Sequence, residues 1–419
     1  MEQQSRADTA NDPSGPRRGI LRSPLVPIFL VVMVDVFGFT LVLPLLPFYA
    51  EHLGASPLVV GFITASFALC QFIAGPILGR ISDRVGRKPT LIVSQIGTLV
   101  GFMILGFANT LALLFISRII DGLTAGNLSI AQAYISDVTK PEERTKAFGL
   151  IGIAFGVGFL LGPAISGYLS QYGYQWPAFA AAFLSLCSIL GSIFLLPKVK
   201  PDPNARRAGR MEQFKSFFSR PLPRIRLMEF FLFTLSFSTL IGGLALYLER
   251  QFGYDAKHTG YIFAFSGLVG AIVQGGLLGR LVKRIGDEKL ATLGFITMAI
   301  GYGFLGWIFE LPVFLGMGVV AGFGSAVARP TLTSLLTKAV GRSEQGAALG
   351  TSQSLASIAQ ILGPVIAGWL IEHHLLKTWG IVAGATAMLG AMFGLRRGAA
   401  TDAVTDAVED GEAARVMES

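Results

Sequence analysis

Apolar residues run through this chain in long blocks, and polar residues break the blocks at short intervals. Blocks of spanning length stand near 25–48, 58–78, 89–107, 110–134, 145–169 and 176–196, and again near 226–248, 258–279, 289–309, 312–337, 345–371 and 375–395. About 20 apolar residues in a helix cross a hydrocarbon layer of about 30 Å, so each block predicts one transmembrane helix. The pattern therefore predicts an all-α polytopic membrane protein of twelve helices in two six-helix bundles. The implied units are an N-terminal tail over 1–24, a first bundle over 25–196, a linker over 197–225, a second bundle over 226–395 and an acidic tail over 396–419. The tail at 1–24 reads as disordered, and the first block is long enough to remain as a helix instead of being cleaved as a signal.

The two halves echo each other. Between the second and third blocks the chain reads Gly79-Arg-Ile-Ser-Asp-Arg-Val-Gly-Arg-Lys88, and two hundred residues later Gly279-Arg-Leu-Val-Lys-Arg-Ile-Gly-Asp-Glu-Lys289. Likewise Gly162-Pro-Ala-Ile-Ser-Gly-Tyr-Leu169 returns as Gly363-Pro-Val-Ile-Ala-Gly-Trp-Leu370, offset by one residue more. Two matches at nearly one spacing mark an internal duplication of about half the chain. Parallel six-helix repeats point to a secondary transporter, with its substrate between the halves and alternating access by rocking.

Composition supports the membrane reading. Charged residues are 14% of the chain, where soluble proteins carry about 25%, and hydrophobic residues are 52%. The net charge of +8 sits in short turns, which fits orientation signals and anionic lipid, not nucleic acid. Lys and Arg concentrate after the second and fourth helices and in the linker, placing both termini in the cytoplasm of a plasma, bacterial inner, membrane. A short amphipathic piece around Met211–Phe218 in the linker is expected to lie on the membrane surface. Cys70 and Cys187 lie in apolar runs and read as packing residues.

Polar residues inside the helices are the candidates for chemistry. Asp35 lies about ten residues into the first helix, near mid-bilayer. A charge there is costly unless paired or protonated, so Asp35 is either a proton site or a carboxyl held permanently by hydrogen bonds. Arg118 and Asp121, three apart on the fourth helix, stand side by side. They form either a switchable pair or a static one. Arg329, just before Pro330, faces the cavity or reaches for the membrane edge. Gln71, Gln132, Gln274 and Gln353 are further cavity candidates. The 32 phenylalanines could wall a pocket for flat lipophilic cations.

The loop Gly79, Asp83, Gly86, Arg87, Lys88 resembles the signature Gly-x3-Asp-x2-Gly-Arg-Arg/Lys of the major facilitator superfamily. The resemblance implies a latch at the cytoplasmic face, with Arg87 reaching a carboxylate such as Asp137 and Asp83 capping a neighbouring helix. The second copy has Val282 and Lys283 where Ser82 and Asp83 stood, so a latch there must be weaker or different. Gly149, Gly158, Gly162, Pro163 and Gly167 resemble the fifth-helix motif of the drug/proton antiporter branch, with Ser166 in place of a glycine; a plain packing face is the alternative. Asp35 followed by Pro44 and Pro47, and the first half as a whole, look most like the tetracycline/proton antiporters. Those proteins carry an aspartate in the third helix, a histidine in the eighth and an aspartate in the ninth. Here Gly101 or a neighbour, Gly270 and Ile300 stand at those places, so fold and coupling are implied and the substrate is not.

No Walker loop, metal-spaced Cys/His cluster or nucleophile elbow occurs, which disfavours an enzyme or an ATP-driven pump. The expectation is a proton-coupled exporter of a small organic compound of lipophilic or cationic character, acting as a monomer with the proton gradient and no cofactor. Its rivals are a metabolite or lipid facilitator or symporter, and a non-transporting membrane sensor.

Overall fold

The computed structural model describes residues 25–139, 144–197, 210–341 and 344–395. All regular structure among them is helical. Eleven helices are long and apolar enough to cross a membrane, and a bent pair makes a twelfth span. Helices α1 (Leu25–Val42) and α2 (Leu45–His52) are that pair, at 41° to each other. Pro44 causes the break, because it has no amide proton and its ring crowds the preceding turn. Then follow α3 (Pro57–Val85), α4 (Arg87–Gly106), α5 (Leu111–Thr124), α6 (Asn127–Val138), α7 (Arg144–Ser170) and α8 (Gln175–Leu195). After α9 (Arg210–Ser219) the second set comprises α10 (Pro221–Phe252), α11 (Ala256–Ile272), α12 (Leu278–Ile285), α13 (Asp287–Gly303), α14 (Leu311–Lys338), α15 (Gln345–Glu372) and α16 (Leu376–Leu395).

Two predicted single helices are interrupted. The span expected at 110–134 is α5 and α6, broken at Ala125 and Gly126. Bare backbone inside a bilayer must find partners. Here buried Ser94 of α4 supplies them, accepting from the Gly126 amide at 3.0 Å and donating to the Thr124 carbonyl. The span from Ala256 to Ile285 contains one turn of π-helix, Val273–Leu277, at Gln274-Gly275-Gly276. The linker helix α9 is anchored to the second set: Phe217 is buried against Leu227, Leu336 and Ala348.

Helices α1–α8 pack chiefly on one another, as do α10–α16, and two seams join the sets: α3 on α15 and α7 on α11. Both seams are close-packed at one end only. A Cβ on Gly61 would fall 2.5 Å from the Pro364 carbonyl oxygen, and one on Gly167 2.8 Å from that of Lys257. Gly260 lies equally tight against Pro163, and Gly368 against Pro57. Small residues let these backbones touch. Polar ties reinforce the same end: Arg250 to Glu51 at 2.6 Å, Ser56 and the Leu58 amide to Glu372, and Lys257 to Gln171 at 3.0 Å. Toward the end that carries the Gly86 and Gly286 turns the same four helices diverge. Gly75, Gly152, Gly156, Gly270, Gly275, Gly346 and Gly350 have nothing within 4 Å of a Cβ position. The two sets form a wedge, closed at one end and open at the basic end.

Gly260→Ala should therefore lower the thermal midpoint of the purified chain, by overpacking worth about 1–3 kcal/mol. Gly270→Ala, in open space on the same helix, should be neutral or raise it through helix propensity. Equal midpoints for the two variants would mean that the seam is not close-packed.

Candidate functional site

The wedge encloses a cavity of about 610 Å³ between the two sets. Helices α6 and α7 contribute Leu128, Gln132, Phe155 and Phe159; most of the rest comes from α10, α11 and α14. The walls are apolar and rich in phenylalanine, including Phe233, Phe237, Phe263, Phe265 and Phe314. The expected residues Gln132, Gln274 and Arg329 line it, whereas Gln71 and Gln353 lie outside its lining. Gln274 is presented by the π-helical turn. Arg329 is exposed, and among the described residues its guanidinium meets no carboxylate, hydrogen-bond acceptor or aromatic ring. No Asp or Glu lines the cavity among the described residues. A lipophilic cation would thus find aromatic faces there but no countercharge.

A second polar constellation lies inside the first set, away from the cavity lining. Asp35 of α1 faces Gln95 of α4, Asn127 of α6 and Ser188 of α8, with Asp121 near enough to repel its charge. Gln95 is fully buried and donates from Nε2 to Ser188 Oγ at 2.6 Å. Three buried oxygens here accept nothing: Asp35 Oδ1, Gln95 Oε1 and Asn127 Oδ1. The break before α6 brings Asn127 into this group, as the first residue of its helix. Asp121 pairs with Arg118 at 3.2 Å, both about 5% exposed. Arg118 also stands 5.8 Å over the Phe102 ring, and its second terminal nitrogen is unpartnered. A Cβ on Gly101 would lie 2.9 Å from that of Asp121. The acid on the fourth span thus occupies space that a side chain on the third would fill.

Three glycines of the fifth-span motif make close contacts. Gly158 faces Val36 and Gly162 faces Thr40 on α1, while Gly167 forms the seam with α11. Gly149 lies in α7. This ties α1, and with it Asp35, to the helix that lines the cavity.

At the basic end, Gly86 turns the chain with φ +112° and Gly286 with φ +82°, backbone that favours glycine. Arg87 donates to Asp137 at 2.7 Å, to Ser82 at 3.0 Å and to Asp83. Lys88 caps the end of α8, donating to the Ile193 and Leu196 carbonyls at 2.7 Å. Gly79 sits one turn before Asp83 on α3. The second copy holds a pair that the sequence comparison overlooked: Asp287 accepts from Lys338 at 2.5 Å and from Ser334 at 2.8 Å. Arg87 and Asp287 are 200 residues apart, and Asp137 and Lys338 are 201 apart, the offsets of the two sequence matches. The same bridge is built twice with its charges exchanged.

Known proteins resemble this chain in sequence and fold. The model of the Major Facilitator Superfamily matches residues 28–309 and 275–416. The class B tetracycline resistance protein of Escherichia coli is 30% identical over 361 residues, spanning 84% of this chain and 88% of that one. Multidrug resistance protein 1 of Bacillus subtilis (strain 168) is 30% identical over 343 residues, 81% and 88% of the two chains. Among solved structures, the human organic anion transporter MFSD10 (TETRAN) superposes with a TM-score of 0.70 at 22% identity, covering 88% of this chain and 98% of that one. A bacterial homolog of the human lysosomal transporter Spinster gives 0.70 at 16% identity, over 88% and 95%.

Reversing Asp287 alone (Asp287→Arg) should lower the thermal midpoint, because two cations then face each other. Adding Lys338→Asp rebuilds the arrangement of the first copy and should recover part of the loss. Recovery stays partial, since an acid is favoured at the start of α13. A double variant no more stable than the worse single one would show that the two residues do not interact.

Proposed function

The chain belongs to the Major Facilitator Superfamily, as a multi-pass membrane transporter and not an enzyme, and we propose that it exports a small organic compound in exchange for protons. The basic end, with its turns at Gly86 and Gly286, then faces the cytoplasm of a bacterial inner membrane, with both termini on that side. A single chain is the working unit, and the proton gradient is the energy source.

The observation that carries the coupling is the group of acceptors around Asp35. Asp35 Oδ1, Gln95 Oε1 and Asn127 Oδ1 are buried without donors. A buried acceptor left unmade costs about 1–3 kcal/mol, and a charged one more. A proton on Asp35 removes its charge, eases its repulsion with Asp121 and supplies a donor to a neighbouring oxygen. Releasing the proton restores the strain. The two protonation states therefore prefer different packing around α1. Val36 and Thr40, on the same helix, press on Gly158 and Gly162 of α7. Helix α7 lines the cavity and forms one seam, so a shift of α1 reaches both. Opening the far end requires parting the Gly61–Pro364 and Gly167–Lys257 contacts while the basic end closes; Arg87, Asp83 and Asp137 belong to the surface that must then meet the second set. The tetracycline and multidrug resistance relatives favour export over uptake.

In energised inside-out vesicles, acridine fluorescence should report a proton leak when a transported compound is added from a panel of tetracyclines, lipophilic cations, organic anions and simple metabolites. Asp35→Asn should abolish the leak while leaving downhill movement of the same radiolabelled compound. A leak unchanged in Asp35→Asn would refute the coupling role, and uptake with no pH response in the wild type would identify a facilitator.

Asp83→Asn should cut flux several-fold with expression intact. Wild-type flux would remove the latch from the mechanism.

A further inference from the structure

The cavity's single formal charge among the described residues belongs to Arg329, and its setting separates it from the arginines buried in the spans. Buried Arg118 is paired with Asp121, and buried Arg226 with Glu229 at 2.8 Å and with Glu288. Arg329 is exposed to the open wedge and has no such partner among the described residues. It lies nine residues before the end of α14 at Lys338, about 13 Å inside the helix. It lines the cavity, not the membrane edge. Set among apolar walls, its charge is the one fixed electrostatic feature that a cargo entering the wedge meets.

Resting on the reading of this cavity as the transport site, we propose that its cargo is a small amphipathic organic anion: a carboxylate or sulfonate on an aromatic body, with the anionic group on Arg329 and the rings among the phenylalanines. A planar guanidinium grips such groups with two parallel hydrogen bonds. Gln132 and Gln274 border the same space and supply further donors. The π-turn that presents Gln274 is of the kind that recurs at functional sites. A cation would meet like charge with no countercharge in the lining, and an uncharged cargo would leave the guanidinium as lonely as before. The volume of about 610 Å³ suits a drug-sized molecule.

The test is equilibrium dialysis of the purified full-length chain in detergent with radiolabelled naphthalene-2-sulfonate. Naphthalene-2-sulfonamide and 2-naphthyltrimethylammonium serve as neutral and cationic comparators. The sulfonate should bind saturably and at least about tenfold more tightly than either comparator, the scale of a hydrogen bond to a charged group. Arg329→Gln should erase that preference, while Arg329→Lys keeps part of it. The thermal midpoint of Arg329→Gln should equal or exceed the wild type, since the substitution removes an unpaired charge. A cation that binds as well as the sulfonate, sulfonate affinity unchanged in Arg329→Gln, or no saturable sulfonate binding would each overturn the proposal. So would displacement of the sulfonate from the wild type by phosphatidic acid combined with equal affinity for all three naphthalenes, which would make a lipid phosphate the occupant. Dialysis uses no gradient, so it stands apart from coupling. A chain that binds the anion but shows no proton leak with it loses the antiport reading and keeps this one; a leak driven only by cations does the reverse.

Discussion

Inside a bilayer no water stands ready to pair a stray amide or carbonyl, and this constraint governs the whole molecule. Continuous helices meet it without help. Where the chain departs from a continuous helix it must supply a partner from elsewhere, and each departure falls beside chemistry. Ser94 catches the loose backbone at the break between α5 and α6, and that break delivers Asn127 to Asp35. The π-turn within the eighth span presents Gln274 to the cavity. Pro44 bends the first span beyond the level of Asp35. A cluster of polar groups remains unsatisfied around the carboxyl, at Asp35 Oδ1, Gln95 Oε1 and Asn127 Oδ1, with the second terminal nitrogen of Arg118 also unpartnered.

The duplication gives the halves one frame and different contents. The turn glycines recur at an offset of 200, Pro163 and Gly167 recur at 201 as Pro364 and Gly368, the seam glycine Gly61 is answered by Gly260 at 199, and even the bridge at the basic end recurs with its signs exchanged. The interior does not recur. Where the first half has Gln95, the second has buried Phe295, and Gly318 stands two hundred residues after Arg118. The acids around Gln95 sit in the first half; the second half's buried acid, Glu229, is held by Arg226, and the unpaired guanidinium of Arg329 lines the cavity. On the function proposed above, proton chemistry and cargo chemistry occupy separate compartments, joined by the packing of α1 on α7.

Much of this was legible in the sequence, because hydrophobic length and turn glycines report local physics. Twelve spans, two halves and the Arg87–Asp137 contact follow from block length, repeat spacing and charge. The breaks were harder to read. Ala125 and Gly126 look like ordinary small residues in a membrane helix, and only a serine from another span makes the interruption tolerable. Asn127, Gln95 and Ser188 come from different helices, so no spacing rule unites them around Asp35. Gln71 and Gln353 resembled Gln132 and Gln274 in composition, but they stand on α3 and α15, which contribute nothing to the cavity lining. The Asp287–Lys338 bridge escaped because matching identical letters cannot find a pair whose signs have been exchanged. The lack of acid in the cavity lining, which turns the expectation away from cationic cargo, is a property of the assembled wall and not of any one helix.

The lone charge of Arg329 also has an electrical meaning. A positive group carried by a moving element feels the membrane potential, up to about 2.3 kcal/mol per elementary charge for each 100 mV crossed in full. On the orientation proposed above, with the basic end in the cytoplasm and the inside negative, that field draws the empty carrier toward the state open to the cell interior, which is then the conformer described here. Once an anion sits on the guanidinium the pair is neutral and the pull vanishes. The potential would then park the unloaded protein where an exporter must collect its cargo, and would release it as soon as it is loaded.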